Sequence, residues 1–186
     1  NAALDRAIIA FSERGYHGTS IADLSDAMEL TTGSIYKAFG DKRGVFYQGL
    51  TLALHTYAKH QFKLDTKLKD GSTRRAALES VAKRPGAKAE DIAELQGPEL
   101  PLEAEYLWKW FQELHYARRR TALGGAEPLS YTDVLSWAHL TKRYPEPEDI
   151  RAIFSLDLSY MATQAAATTQ AAAAAKDKVK EPEHDS

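Results

Sequence analysis

The stretch TTGSIYKAFGDK, residues 31–42, decides how the chain is read. Thr31 stands where a helix N-cap belongs, and Gly40 stands where a helix ends. Between them, residues 32–39 carry only Ile35 and Phe39, with part of Tyr36, as an apolar anchor. Thr32, Gly33, Ser34 and Lys37 are left pointing outward. Asp41 then caps a longer helix whose apolar stripe is Val45, Phe46, Leu50 and Leu54.

Upstream, Leu4, Ala7, Ile8 and Phe11 recur at helical spacing over residues 3–14, and Gly15 sits where a left-handed terminator is expected. Ser20 with Asp23 three residues later is a capping-box pattern. It opens a helix on which Ile21, Leu24 and Ala27 share a face. Residues 28–30 are the short break before the helix at 32–39. That spacing predicts a helix-turn-helix. A helix with a narrow buried side and a small polar outer side suits a DNA major groove. Its hydroxyls and Lys37 can reach bases or phosphates, and Gly33 permits close backbone approach. Lys42 lies in the first turn of the next helix, where free N–H groups and the dipole favour an anion. Periodicity by itself leaves two readings open, a DNA-reading helix and a small polar surface helix.

Composition narrows the classes. The chain has 186 residues, 44% hydrophobic and 27% charged, which is ordinary for a globular protein. It has no cysteine, so thiolate metal sites, disulfides and thiol nucleophiles are excluded. No apolar run has the length of a membrane span and no signal-peptide pattern opens the chain, so no membrane partner is expected and a cytoplasmic setting is. The net charge of −2 does not itself argue for nucleic acid, although residues 63–88 hold eight basic side chains against three acidic ones. The six histidines are scattered without zinc spacing, and no phosphate-binding glycine loop or Ser-His-Asp order stands out. No enzyme, cofactor or metal site is expected.

The second half also reads as helical. Residues 72–84 form a short basic helix with Ala77, Leu78 and Val81 inward, and residues 86–101 read as loop. Residues 102–120 make the strongest helix, with Leu107, Phe111 and Leu114 as a stripe widened by Tyr106, Trp110 and Trp108. Its end, residues 117–120, reads as a solvated basic terminus, the other reading being a contact for nucleic acid or an acidic partner. Ser130 caps a helix that turns Val134, Trp137, Ala138 and Thr141 to one side. Residues 146–164 make the last helix, with Ile150, Ile153, Phe154, Leu158 and Met161 inward. The aromatic stripe reads either as core or as the lining of a ligand pocket. Beyond it an alanine run extends helix to about residue 176, and the last ten residues are expected to be disordered.

Residues 2–58 resemble the N-terminal DNA-binding domain of TetR family transcriptional regulators. Phe11, the Gly15-Tyr16 pair, Thr19-Ser20, Ile21, the GSIYKAFGDK block and Phe46 carry the resemblance. It implies a homodimer on a near-palindromic operator in double-stranded DNA, a repressor's steric block on transcription, and a small-molecule effector as a further partner. Carried over by position, Thr32, Gly33, Ser34, Tyr36 and Lys37 would touch DNA, while Thr19 and Lys42 would hold phosphates. Two departures bear on affinity. Family members usually have glycine at the turn position held here by Glu29, where a left-handed glutamate costs about 1 kcal/mol and brings negative charge near the DNA. The chain also begins at Asn1, without the basic arm that often precedes the first helix and as expected of a fragment or a trimmed chain.

Residues 64–164 carry a second resemblance, to tail assembly chaperones of tailed phages. It rests on YLWKWFQEL, PLSYTDVLSWAHLT and the proline-flanked EPEDIRAIFSLDLSYMA. It implies a tape-measure or tail-tube protein as the partner, with Trp108, Trp110 and Trp137 as the contact residues. The expected architecture is all-α, a TetR-like three-helix helix-turn-helix domain over 1–58 followed by a helical C-terminal domain over 59–164 and a tail over 165–186. The two resemblances together imply a fusion joined near residues 57–65, or a TetR ligand domain that has diverged.

Overall fold

The computed structural model describes residues 2–122 and 124–179. The described residues form nine α-helices: α1 (Ala2–Gly18), α2 (Ile21–Met28), α3 (Thr32–Phe39), α4 (Lys42–Leu64), α5 (Arg74–Ala82), α6 (Ala89–Gln96), α7 (Glu105–Ala117), α8 (Tyr131–Thr141) and α9 (Pro147–Val179). A 3-10 turn over Leu102–Ala104 leads into α7. None of the helices among the described residues is long and apolar enough to cross a membrane.

Local chemistry accounts for the first four boundaries. Gly15 has φ 73° and ψ 161°, which breaks the helical path of α1 at a residue with no Cβ penalty. Ser20 and Asp23 form the reciprocal capping box of α2, and Thr31 Oγ1 accepts from Ser34 N at the start of α3. Asp41 Oδ1 accepts from Gly44 N at 2.7 Å and opens α4. Leu4, Ala7, Ile8 and Phe11 from α1, Leu24 and Met28 from α2, Ile35 from α3 and Val45 and Leu50 from α4 bury together.

α4 is the spine. It packs on α1 at its start and on α9 along its length. The same buried cluster therefore continues through Leu54, Ala58 and Phe62 into Leu107, Phe111, Leu114, Val134, Ile153 and Leu156. Rings fill the second half: Phe62 contacts Trp108, Phe111 and Tyr160 at centroid distances of 5.9, 5.6 and 5.3 Å. Edge-on and tilted pairs of this kind add to area burial.

The structure differs from the sequence reading in several places, among them Thr141, read with the inward face of α8 but exposed at its end. Residues 89–96, read as loop, form α6, which buries no side chain of its own. Charge and hydrogen bonding hold it instead. Glu94 takes Arg74 and Lys63, and its carbonyl oxygen lies 2.7 Å from His60 Nε2. Arg118, read as part of a solvated helix end, is buried against Asp157, because α7 stops at Ala117 and the chain turns extended there. Leu158, assigned inward, is 72% exposed, since α9 turns Ala152, Ile153, Leu156 and Asp157 to the core instead. The last helix continues to Val179, and residues 180–186 of the expected disordered end lie outside the described residues.

His115 sits inside the aromatic cluster, stacked on Phe111 and edge-on to Tyr160 at 4.4 Å. Its Nδ1 is buried with no hydrogen-bond partner. Burial, followed by the charge of Arg118, pushes its pKa from the ordinary value near 6.5 down to about 4. The folded state thus refuses a proton that the unfolded chain accepts. Stability is expected to be full above pH 6.5 and to fall as pH drops toward 4. His55, lowered by burial and by Lys59, adds in the same direction. Urea midpoints at pH 7 and pH 5 should therefore differ, and His115→Phe should shrink the difference.

Candidate nucleic-acid interface

The three short helices present α3 to solvent. Ile35 is its only buried side chain, and Phe39 is half-buried behind it. Thr32, Gly33, Ser34, Tyr36 and Lys37 all lie on the open side, with Tyr36 53% exposed. Ser34 is partly committed, because its hydroxyl lies 2.9 Å from that of the cap Thr31. No described residue forms an ion pair with Lys37. A Cβ on Gly33 would meet only Thr31 Oγ1, at 3.9 Å, so nothing inside the molecule requires glycine there.

The two residues expected to hold phosphates are placed differently. Thr19 is 1% exposed, and its hydroxyl donates to Gly15 O at 2.9 Å and lies 3.4 Å from Ala10 O. It ties the end of α1 and does not present a hydroxyl to the surface. Lys42 is half-buried over the Tyr16 ring, 4.5 Å from its centroid, and Nζ donates to Tyr16 O and Thr19 O at 3.0 Å each. Lys42 therefore binds the end of α1 to the start of α4. Sequence spacing could not show this, because both contacts join residues more than twenty positions apart.

Asp23 and Asp41, on the elements flanking α3, are occupied. Asp23 is held by Ser20 and by Arg14 at 2.6 Å, and the Ser20 hydroxyl and N–H hold its carboxyl below the ordinary carboxylate range. Asp41 caps α4. The face of α3 is thus small, polar and cationic at Lys37, with Asp23 and Asp41 already engaged. Such a face can enter a major groove and donate to base edges and phosphates. Among the described residues no cluster of histidine and acidic side chains could hold a metal ion.

The tryptophans of the second half are engaged with one another and with α4. Trp110 meets Trp137 at 5.4 Å and Tyr106 at 5.1 Å, and the Arg143 guanidinium lies over both indoles. Trp137 Nε1 donates to Glu113 at 2.9 Å. Trp108 packs on Phe111 and Tyr57, and it borders an open groove of about 790 Å³ that includes Tyr57, Pro98, Leu100 and Lys109.

Known proteins match the two halves separately. Residues 3–48 match the family model described as bacterial regulatory proteins, tetR family. Residues 81–162 match that of phage tail assembly chaperones. The HTH-type transcriptional repressor ComR of Escherichia coli (strain K12) is 37% identical over 65 residues, 34% of this chain and 31% of ComR. The chain thus matches about a third of that relative's length. Solved TetR family regulators also align with the chain. CifR, in a cysteine mutant complexed with operator DNA, shows 23% identity and a TM-score of 0.35 over 86% of this chain and 96% of its own. PfmR from Thermus thermophilus shows 22% identity and a TM-score of 0.28 over 89% and 80%. Residues 3–48, the helix-turn-helix head, are thus similar to bacterial regulatory proteins of the tetR family, and the described residues that follow are built of helices.

Proposed function

We propose that the chain is a sequence-specific transcriptional regulator, a repressor, that binds a near-palindromic operator as a homodimer through α3. The observation that carries this reading is the outer face of α3, which is exposed from Thr32 through Lys37 except at Ile35 and lies within the tetR-family match. Thr32, Gly33, Tyr36 and Lys37 meet the DNA, Ser34 contributes beside the cap, and Lys42 has donor capacity left for a phosphate at the edge. The backbone near Thr19, rather than its hydroxyl, is what remains available there. The domain division near residue 58 falls inside α4, so head and body share one helix.

Pairing of two copies has a surface to use. Tyr131 and Leu135 lie one turn apart on α8 and are 75% and 70% exposed. Tyr131 touches Phe154 of α9 at 4.6 Å, which joins this face to exposed Leu158. A self-complementary apolar face of this kind suits a two-fold dimer. An effector has room in the groove beside Trp108. The tail-assembly reading keeps the match over 81–162 as its support, but Trp110 and Trp137 already spend their faces on each other and on Arg143.

Selection from random duplex DNA at one fixed moderate salt concentration tests the reading. Enrichment of a two-fold palindrome is expected, and no enrichment from a folded chain would overturn it. On the selected operator, Lys37→Ala and Tyr36→Ala should each weaken binding about 10- to 100-fold, with the unfolding midpoint unchanged. Unaltered binding in both variants would remove α3 from the interface.

A further inference from the structure

Glu29 sits at the helix-turn-helix corner with φ 56° and ψ 38°, a left-handed conformation that a glutamate adopts at a cost. Its N–H and that of Leu30 close the end of α2 on Asp26 O and Ser25 O. α2 has no basic residue in its own last turn to complement the carbonyl end of the helix. Arg6, on α1, supplies one. Its Nε donates to Ala27 O at 2.8 Å and its Nη2 to Met28 O at 3.0 Å, and the same Nη2 lies 3.4 Å from Glu29 Oε2. A single guanidinium thus satisfies two terminal carbonyls of α2 and offsets the charge on the residue that makes the turn. Arg6 is held in place by its neighbours Leu4, Ala7 and Ile8, which are buried against the rest of the head. Lys142, the other described non-glycine residue with positive φ, ends α8 on backbone bonds to Ala138 O and His139 O.

We propose that Arg6 is a positioning residue for DNA recognition, fixing the turn around Glu29 and hence the direction in which α3 leaves α2. This rests on the reading of α3 as the DNA-contacting helix. It also explains how the chain accommodates glutamate where its family usually has glycine. The guanidinium does from outside what glycine would do from within. Arg6 touches the corner and not the outer face of α3, so its loss acts through geometry.

The test measures operator affinity of the full chain and its Arg6→Gln, Glu29→Gly and double variants across a salt series, together with amide hydrogen exchange. Arg6→Gln should weaken operator binding about tenfold, the scale of a lost helix cap, while the salt slope stays that of the parent. Glu29→Gly alone should bind at least as tightly as the parent. In the Glu29→Gly background, Arg6→Gln should cost less than in the parent, because the bonds to Ala27 O and Met28 O are still lost but the left-handed strain and the charge at residue 29 are gone. Exchange at the Leu30 and Ile35 amides should rise in Arg6→Gln and return in the double variant. Three results would overturn the proposal: parental affinity in Arg6→Gln, an equal loss in the Glu29→Gly background, or a loss accompanied by a salt slope smaller by about one ion, the signature of a direct phosphate contact. If the parent itself binds no duplex, the DNA reading fails and positioning for recognition fails with it. The exchange pattern would still show on its own whether Arg6 holds the corner.

Discussion

Replacing Arg118 by methionine is expected to cost about 3–5 kcal/mol of folding stability, because it leaves Asp157 buried without a counter-charge. The two side chains are 1% and 5% exposed and meet at 2.5 Å. Asp157 also accepts from Leu129 N at 2.8 Å, and Arg118 donates to Glu127 O at 2.9 Å while lying over the Tyr160 ring. The pair therefore ties the end of α7 and the segment before α8 to the middle of α9. At this chain length such a loss lowers Tm by about 10 °C. Arg118→Met with Asp157→Leu removes both charges, and it should recover much of the loss. The Leu129 N–H and Glu127 carbonyl then remain unpaired, at about 1–3 kcal/mol for each that stays buried. Urea and thermal unfolding of the single and double variants measure this. A single variant as stable as the parent would show that the pair is not buried as described.

Gly44→Ala should be nearly as damaging, at about 3 kcal/mol or more, the upper end of overpacking costs. A Cβ at this position would lie 1.9 Å from Phe39 O and 3.0 Å from Phe39 C. Both are backbone atoms at the end of α3, so no rotamer can relieve the contact. α3 and α4 must move apart, and under the proposed function DNA affinity should fall with stability. Gly33→Ala is the matched control. Its Cβ meets only ordinary contact distance, so the fold should be about as stable as the parent. Chemical denaturation of the two variants separates them, and equal midpoints would refute the account of Gly44.

The outline of the head was readable from local signals. Thr31, Asp41 and the Ser20–Asp23 box act within three or four residues, so their chemistry does not depend on the rest of the chain. The buried faces of α1 and α4, and of α8 at Val134, Trp137 and Ala138 but not at Thr141, follow from periodicity for the same reason. α6 escaped because it has no apolar stripe. Partners from α4 and α5 hold it, and they lie 20 to 34 residues away in sequence. Leu158 reads as inward because α9 offers two apolar stripes and only packing chooses between them.

The candidate site divides along the same line. By itself the sequence determined that residues 32–37 form a short, narrowly anchored, polar helix after a tight turn, since composition and capping are enough to specify that. Only the tertiary structure decided that the Thr19 hydroxyl is spent on the end of α1 and that Lys42 ties that end to the start of α4. It likewise decided that Arg118 is interior and that Arg6 reaches the corner at Glu29. A basic or hydroxyl side chain reads the same in sequence whether it faces water, a phosphate or a carbonyl. Which one it meets is set by contacts across long chain separations, and those exist only once the helices have packed.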